Sequence, residues 1–387
     1  MVNNKKYVYF FGNKIAEGNG DLKHLLGGKG AGLAEMTRIG LPVPGGFTIT
    51  TEVCNLFFKN NNQYPDGLEE QVERNLKNLE KIVGKKLGDP EDPLLVSVRS
   101  GAPISMPGMM ETILNLGLND ASVLGLAKKT QNERFAYDAY RRFILMYSST
   151  AKNIEREKFD SIFEETKDTK TRTRLGLPAD KKVADTDLNT EELKEIVEKF
   201  KAVYKNELGE DFPQDPMKQL WGAIDAVFHS WMGEKAVKYR EVEKISNIYG
   251  TAVNVVQMVF GNMGETSGTG VCFTRDPNTG ENVFYGDYLV NAQGEDVVAG
   301  IRTPMKLDEL HKKNAGLYDQ LVNVRKKLEH HYRDMQDLEF TVEDNKLYML
   351  QCRSGKRSPK ASFVIAYDLV QEGLISKEEA VERIKPN

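Results

Sequence analysis

Apolar residues recur at two different periods along this 387-residue chain, and the change of period marks out its regions. In the opening third, strand-like runs at 7–11, 47–51 and 94–98 alternate with helical patterns. One such pattern holds Leu33, Met36 and Ile39, and another covers 68–83. The run GLPVPGG at 40–46 ends the first helix, because glycine and proline cannot carry it on. The middle keeps only the helical period, which predicts helices over 135–146, 159–165, 191–204 and 217–231. Leu193, Ile196, Val197, Phe200, Val203 and Tyr204 form one stripe, with Asn189 or Thr190 placed to cap its start. Between these helices, 167–187 is rich in threonine, lysine and aspartate and poor in apolar residues, so an exposed, disordered loop is expected. Strand-and-turn patterning returns at 251–261, 270–276 and 281–291. A helix over 317–332, two strands from 335 onward and a charged helix over 377–384 complete the series.

The two strands near the end carry the chain's most suggestive polar pattern, MQDLEFTVEDNKLYMLQCRSGKR at 335–357. Asp337 and Glu339 are two apart on one strand, so they leave the same face; Gln351 and Arg353 repeat the spacing on the next. Two carboxylates and an amide oxygen suit Mg²⁺, and a guanidinium beside them suits a polyphosphate. Whether the pairs meet depends on register. An even turn places Glu339 opposite Leu350 and sends the pairs to opposite faces, whereas an odd turn brings all four together. Asn345 tolerates the left-handed conformation of a three-residue loop, so Glu343-Asp344-Asn345 is expected to be that loop.

Composition chiefly excludes. The length suggests two or three domains. A net charge of −4 provides no electrostatic footprint for nucleic acid or anionic membrane, so neither is expected as a partner. Cys54, Cys272 and Cys352 are too scattered for a disulfide framework or a zinc site. No window resembles a membrane span or signal peptide, which makes cytoplasmic residence the expectation; an organellar address at a missing C-terminus would lie outside the chain. His24, His229, His311, His330 and His331 show no nucleophile or metal spacing, and the last two belong to a polar helix surface.

Other candidates are individually weaker. Gly27-Gly28-Lys29-Gly30 lacks the Walker spacing, but a lysine in a glycine-rich turn before a helix can bind phosphate through amides and the helix dipole. Arg99 arrives at a strand end, ahead of a stiff loop with Gly101, Pro103, Pro107 and Gly108. Arg141 and Arg142 fit either a phosphate contact or a solvated helix face.

Taken together, LLGGKGAGLAEM, PLLVSVRSG, SMPGMMETILNLGLND, RFAYDAYRRF, AVNVVQMVFGN, ETSGTGVCFTRDP, NAQGEDVVAG and YRDMQDLEFT resemble the N-terminal nucleotide-binding region of the pyruvate, phosphate dikinase family. The likeness runs from about Val8 to Lys356. It implies an α+β, ATP-grasp fold: two α+β subdomains flanking ATP, with a mostly helical insertion. The corresponding boundaries are 1–118, an insertion at 119–214, a return at 215–259, a second subdomain at 260–356, and the start of a swivel linker at 357–387. It also implies Lys29, Arg99 and Arg353 as catalytic cations. Nucleotide contacts would come from those three with Gly108, Met258, Val259, Asp337 and Glu339. Mg²⁺ would be held by Asp337, Glu339 and Gln351, and inorganic phosphate by Arg142, Gly270, Glu295 and Asp296. The implied reaction passes the β,γ-pyrophosphoryl group of ATP to a histidine and then the γ-phosphoryl to phosphate; pyruvate is phosphorylated at a separate barrel.

Two departures qualify the likeness. Gln257 is displaced by one position, which turns it to the other strand face and leaves adenine to the backbone around Met258. The phosphohistidine motif and the pyruvate barrel are absent, so a swivel domain and barrel of a longer, homodimeric protein are the expected partners. Alternatives are a water dikinase of the phosphoenolpyruvate synthase type, which hydrolyses the γ-phosphate, and a non-catalytic ATP-sensing module.

Overall fold

The computed structural model describes residues 5–246, 250–299 and 303–384, the side chains of 295, 298 and 299 lying outside that description. Two compact units form, Met1–Ala34 with Gly45–Met258, and Glu35–Pro44 with Val259–Asn387. The strands in chain order are β1 (Val8–Gly12), β2 (Ile15–Ala16), β3 (Gly46–Ile49), β4 (Lys86–Leu87), β5 (Pro93–Leu94), β6 (Val96–Gly101), β7 (Thr112–Leu116), β8 (Ala252–Gln257), β9 (Gly268–Phe273), β10 (Tyr285–Val290), β11 (Met305–Lys306), β12 (Gln336–Glu343) and β13 (Lys346–Ser354). The first unit is built on a sheet ordered β2-β1-β3-β8-β6-β7, antiparallel throughout. β6 and β8, some 150 residues apart in sequence, pair at its centre, and their apolar residues Val96, Val98, Val253 and Val255 are all buried.

The helical stretch belongs to this first unit and follows its periodicity closely. Helix Thr190–Leu208 buries Leu193, Ile196, Val197, Phe200 and Tyr204, each worth about 1.5–3 kcal/mol of burial. Asn189 caps it, accepting from Glu192 N–H, and the Glu192 carboxylate accepts from Asn189 N–H in return. The expectation of an exposed, disordered loop at 167–187 holds for the exposure of most of the segment but not for its order. Lys167–Thr171 forms a π-helical turn, Arg172–Leu175 an α-turn and Asp185–Asp187 a 3₁₀ turn. Lys167 is buried: its ammonium bonds Glu164 and Asp185 at 2.9 Å, and it lies over the Phe163 ring. Arg134 meanwhile donates to the Leu188 and Asp185 carbonyls. Long polar side chains thus hold a segment that apolar content alone would leave loose.

The second unit carries a five-stranded antiparallel sheet ordered β11-β10-β9-β12-β13. Glu35–Pro44, early in the sequence, packs here: Met349 N–H donates to Pro42 C=O at 2.7 Å, and His331 bonds Glu35 at 2.9 Å. One sheet face holds Leu338, Phe340, Val342, Leu347 and Met349, all buried. Gly268 and Gly270 on β9 open room there for Tyr288 and Phe340, whose rings stack 5.9 Å apart at 3°. The last stretch, expected to begin a linker, is folded as far as it is described. Helices Pro359–Gln371 and Lys377–Arg383 bury Ala361, Ile365, Leu369 and Ala380 with Met335. Arg275, fully buried, ties this layer together by donating to Glu329 and Glu372, both at 2.6 Å.

Candidate functional site

The glycine-rich turn is shaped by where it must pass. Gly27 (φ 68°, ψ 168°) breaks helix Lys23–Arg38, so Lys29 stands in the first turn after the break. Those angles are open only to glycine, and a Cβ at Gly27 would collide with the Gly101 carbonyl. Gly28 N–H donates to Ala102 C=O at 2.9 Å, fastening the turn to the end of β6. That strand carries Arg99, half-buried, two residues before Gly101. The structure therefore brings the turn of Lys29 and the strand end of Arg99 together within the first unit. Gly108 (φ 70°) is exposed in the loop between β6 and β7. Met258 N–H donates to Leu95 C=O at 2.8 Å, and Val259 is buried. Asn254 shares a face with Arg99 through cross-strand pairing, which places Gln257 on the opposite face.

The hairpin converges by a different route from the one expected. Its turn has two residues, Asp344 (φ 44°) and Asn345 (φ 63°), with Glu343 paired to Lys346. An even turn alone would send the polar pairs to opposite faces. A bulge corrects the parity: Phe340 pairs with Met349 but Glu339 with Gln351, so Leu350 is the extra residue. Glu339 then faces Gln351, and Asp337 faces Arg353. Asp337, 9% exposed, accepts from Arg353 Nε at 2.7 Å. One oxygen of its carboxylate holds Arg353, and Glu339 and Gln351, both half-exposed, face each other beside it. Among the described residues no three His, Cys, Asp or Glu side chains are grouped to hold a metal. A carboxylate beside an amide oxygen nevertheless fits a hard cation that takes its remaining ligands from phosphate and water.

The residues carried over for inorganic phosphate belong to both units. Gly270 pairs with Phe340 on β12, and a Cβ there would meet the Phe340 ring, on the face away from Glu339. Asp296 closes the start of helix Gly294–Ala299 by accepting from Gln293 N–H at 2.8 Å; the side chain of Glu295 lies outside the described residues. Arg142 stands on helix Glu133–Ala151 in the first unit, where neither it nor Arg141 forms the solvated face that was one of its two readings. Asp138 accepts from Arg141 at 2.8 Å and from Arg142 at 3.0 Å. Burial alone would raise the Asp138 pKa, but Arg141, Arg142 and Arg134 outweigh it and hold the carboxyl below its ordinary range. A folded pKa below the unfolded one supplies stability above about pH 4 that disappears as pH falls through the folded value. The urea midpoint should therefore drop on acidification below about pH 4, and Asp138→Asn should flatten that limb. A variant as acid-sensitive as the parent would remove Asp138 from this account.

Sequence reading passed over Arg275, whose partners Glu329 and Glu372 lie far along the chain, and Thr48 and Asn254 beneath the glycine turn. The one available signal for the latter was a polar residue inside the otherwise apolar run AVNVV. Among the described residues no helix is long and apolar enough to cross a membrane.

Comparison with known proteins gives this geometry its family. The family model described as "Pyruvate phosphate dikinase, AMP/ATP-binding domain" matches residues 23–81, 61–317 and 308–373. The chain is 54% identical over 381 residues to pyruvate, phosphate dikinase of Clostridium symbiosum, covering 98% of this chain and 42% of that protein. It is 53% identical over 374 residues to the Entamoeba histolytica enzyme of that name, covering 96% and 41%. Against the chloroplastic pyruvate, phosphate dikinase 1 of Zea mays it is 52% identical over 382 residues, covering 99% and 39%. The chain spans about two fifths of the length of these curated relatives. With its α+β architecture of the ATP-grasp type, the chain belongs to the pyruvate phosphate dikinase AMP/ATP-binding domain family.

Proposed function

We propose that this chain binds MgATP and inorganic phosphate and performs the nucleotide half of a pyruvate, phosphate dikinase reaction. In that half-reaction the β,γ-pyrophosphoryl group of ATP passes to a histidine on a swivel domain, and its γ-phosphoryl then passes to phosphate. A barrel elsewhere in the longer protein would use the remaining phosphohistidine to make phosphoenolpyruvate from pyruvate. The observation that carries this reading is the hairpin face on which Asp337, Glu339, Gln351 and Arg353 converge.

Phosphoryl transfer needs positioning and charge neutralisation more than a protein base. Lys29, Arg99 and Arg353 supply cations for the phosphate oxygens, and Asp337 orients Arg353. Glu339 and Gln351, with Asp337, would hold Mg²⁺, which would supply positive charge against the phosphates. Asp337 would reach that site with the carboxylate oxygen that Arg353 Nε does not take. Gly108 belongs to the loop beside the nucleotide, and backbone around Met258 and Val259 takes the adenine. Arg142 supplies the cation for the second substrate, phosphate, with Glu295 and Asp296; Gly270, turned to the Phe340 ring, would act only by leaving room beside that ring.

The test is calorimetric titration of ATP with and without Mg²⁺, followed by adding a histidine-bearing domain in trans and following AMP. Mg²⁺-dependent binding and AMP release that requires phosphate are the expected results. Binding indifferent to Mg²⁺ would instead point to an ATP-sensing module, and AMP release without phosphate to a water dikinase.

A further inference from the structure

The centre of the first sheet contains a buried polar pair. Thr48 on β3 pairs with Asn254 on β8, and Asn254 pairs with Arg99 on β6. Asn254 is 0% exposed and Thr48 is buried beside it. The Thr48 hydroxyl donates to Asn254 Oδ1 at 2.8 Å, whereas Asn254 Nδ2 has no hydrogen-bond partner. One pole of this buried amide is therefore unsatisfied, a condition native interiors seldom keep without a reason. Leucine has nearly the same size but would leave the buried Thr48 hydroxyl without its acceptor.

The reason lies directly above the pair. The place a Cβ would occupy on Gly101 is 2.6 Å from Asn254 Nδ2 and 3.5 Å from Lys29 Cβ. On Gly30 the corresponding place is 2.8 Å from both Asn254 Oδ1 and Thr48 Oγ1. Two glycines thus let the main chain carrying Lys29 settle directly on the amide. We propose that Asn254 is a positioning residue for the anion site of Lys29 and Arg99: its amide seats the Lys29 turn and aims an N–H dipole at the site. A fixed N–H dipole in a dry setting adds positive potential where phosphate charge would lie. This role rests on the nucleotide reading above and adds to it a group that touches no ligand.

The experiment compares the parent chain with Asn254→Leu and Asn254→Val. Thermal midpoints are measured, together with affinities for MgATP, inorganic tripolyphosphate and adenosine. The thermal midpoints establish that both variants fold as the parent does. MgATP and tripolyphosphate affinity should fall about tenfold in both variants, with adenosine affinity unchanged. Tripolyphosphate affinity equal to the parent's in either variant overturns the proposal. So does an equal fall for adenosine and tripolyphosphate, which simple loosening of the sheet would produce. A parent chain that binds no MgATP overturns the nucleotide reading itself; a parent that binds, with variants unmoved, overturns only the role of Asn254.

Discussion

Replacing Arg353 by leucine should, on the proposed function, lower ATP-dependent phosphorylation of a histidine-bearing domain by about 10³-fold or more, the range of a cation that stabilises a phosphoryl-transfer transition state. The magnitude follows from how Arg353 is held. Its side chain is half exposed at the rim of the sheet, yet Asp337 fixes its Nε at 2.7 Å. The remaining guanidinium N–H groups are thereby oriented before any nucleotide arrives, and such preorganisation is what makes a cation effective in the transition state. Arg353→Lys keeps the charge but loses the planar fork, so it should recover only part of the rate. Phosphorylation of the same histidine from phosphoenolpyruvate should survive both changes. Equal loss of the two half-reactions would sink the assignment, because it would mean that the hairpin supports the whole protein and not the nucleotide step.

Gly27→Ala should destabilise the first unit by about 3–5 kcal/mol, combining a backbone region closed to alanine with overpacking against a neighbouring carbonyl. For a unit of this size that is a fall in melting temperature of roughly 10 °C. Gly84 offers the control. It caps helix Leu68–Val83 in the left-handed region (φ 75°) with nothing within 4 Å of its would-be Cβ. Gly84→Ala therefore carries conformational strain without a collision and should lose only about 1 kcal/mol. If the two variants melt together, the close approach of Gly27 to Gly101 is not what shapes the Lys29 turn. If Gly27→Ala melts far lower, the turn is held by backbone fit, and MgATP affinity should fall with it.

Much of this architecture was legible because the chain writes it in local periods. The stripe from Leu193 to Tyr204, the Asn189 cap and helix Leu68–Val83 follow directly from spacing. The stretch 167–187 was misread for a physical reason: lysine and arginine stems cover apolar surface while their heads find carboxylates, and composition does not register that. The hairpin is subtler. Its convergence was expected, but from a three-residue turn, and the fold uses a two-residue turn and a bulge instead. Both routes satisfy the same alternation, so the sequence pattern cannot separate them; only the left-handed pair Asp344-Asn345 hints at the shorter turn. Asn254 and Arg275 were illegible because each acquires its meaning from residues far away in sequence. Neither an amide between two glycines nor a guanidinium between Glu329 and Glu372 has a local signature.

The bulge also bears on how the hairpin tolerates lost codons. Leu350 belongs to neither alternation, so its deletion would leave Glu339 opposite Gln351, Asp337 opposite Arg353, and Leu347 and Met349 facing inward. Deleting Tyr348 instead would keep the polar pairs but rotate Met349 outward and force Leu350 into the core. The hairpin thus holds one residue in reserve, and a lineage could shorten it there by one position without rewriting either face.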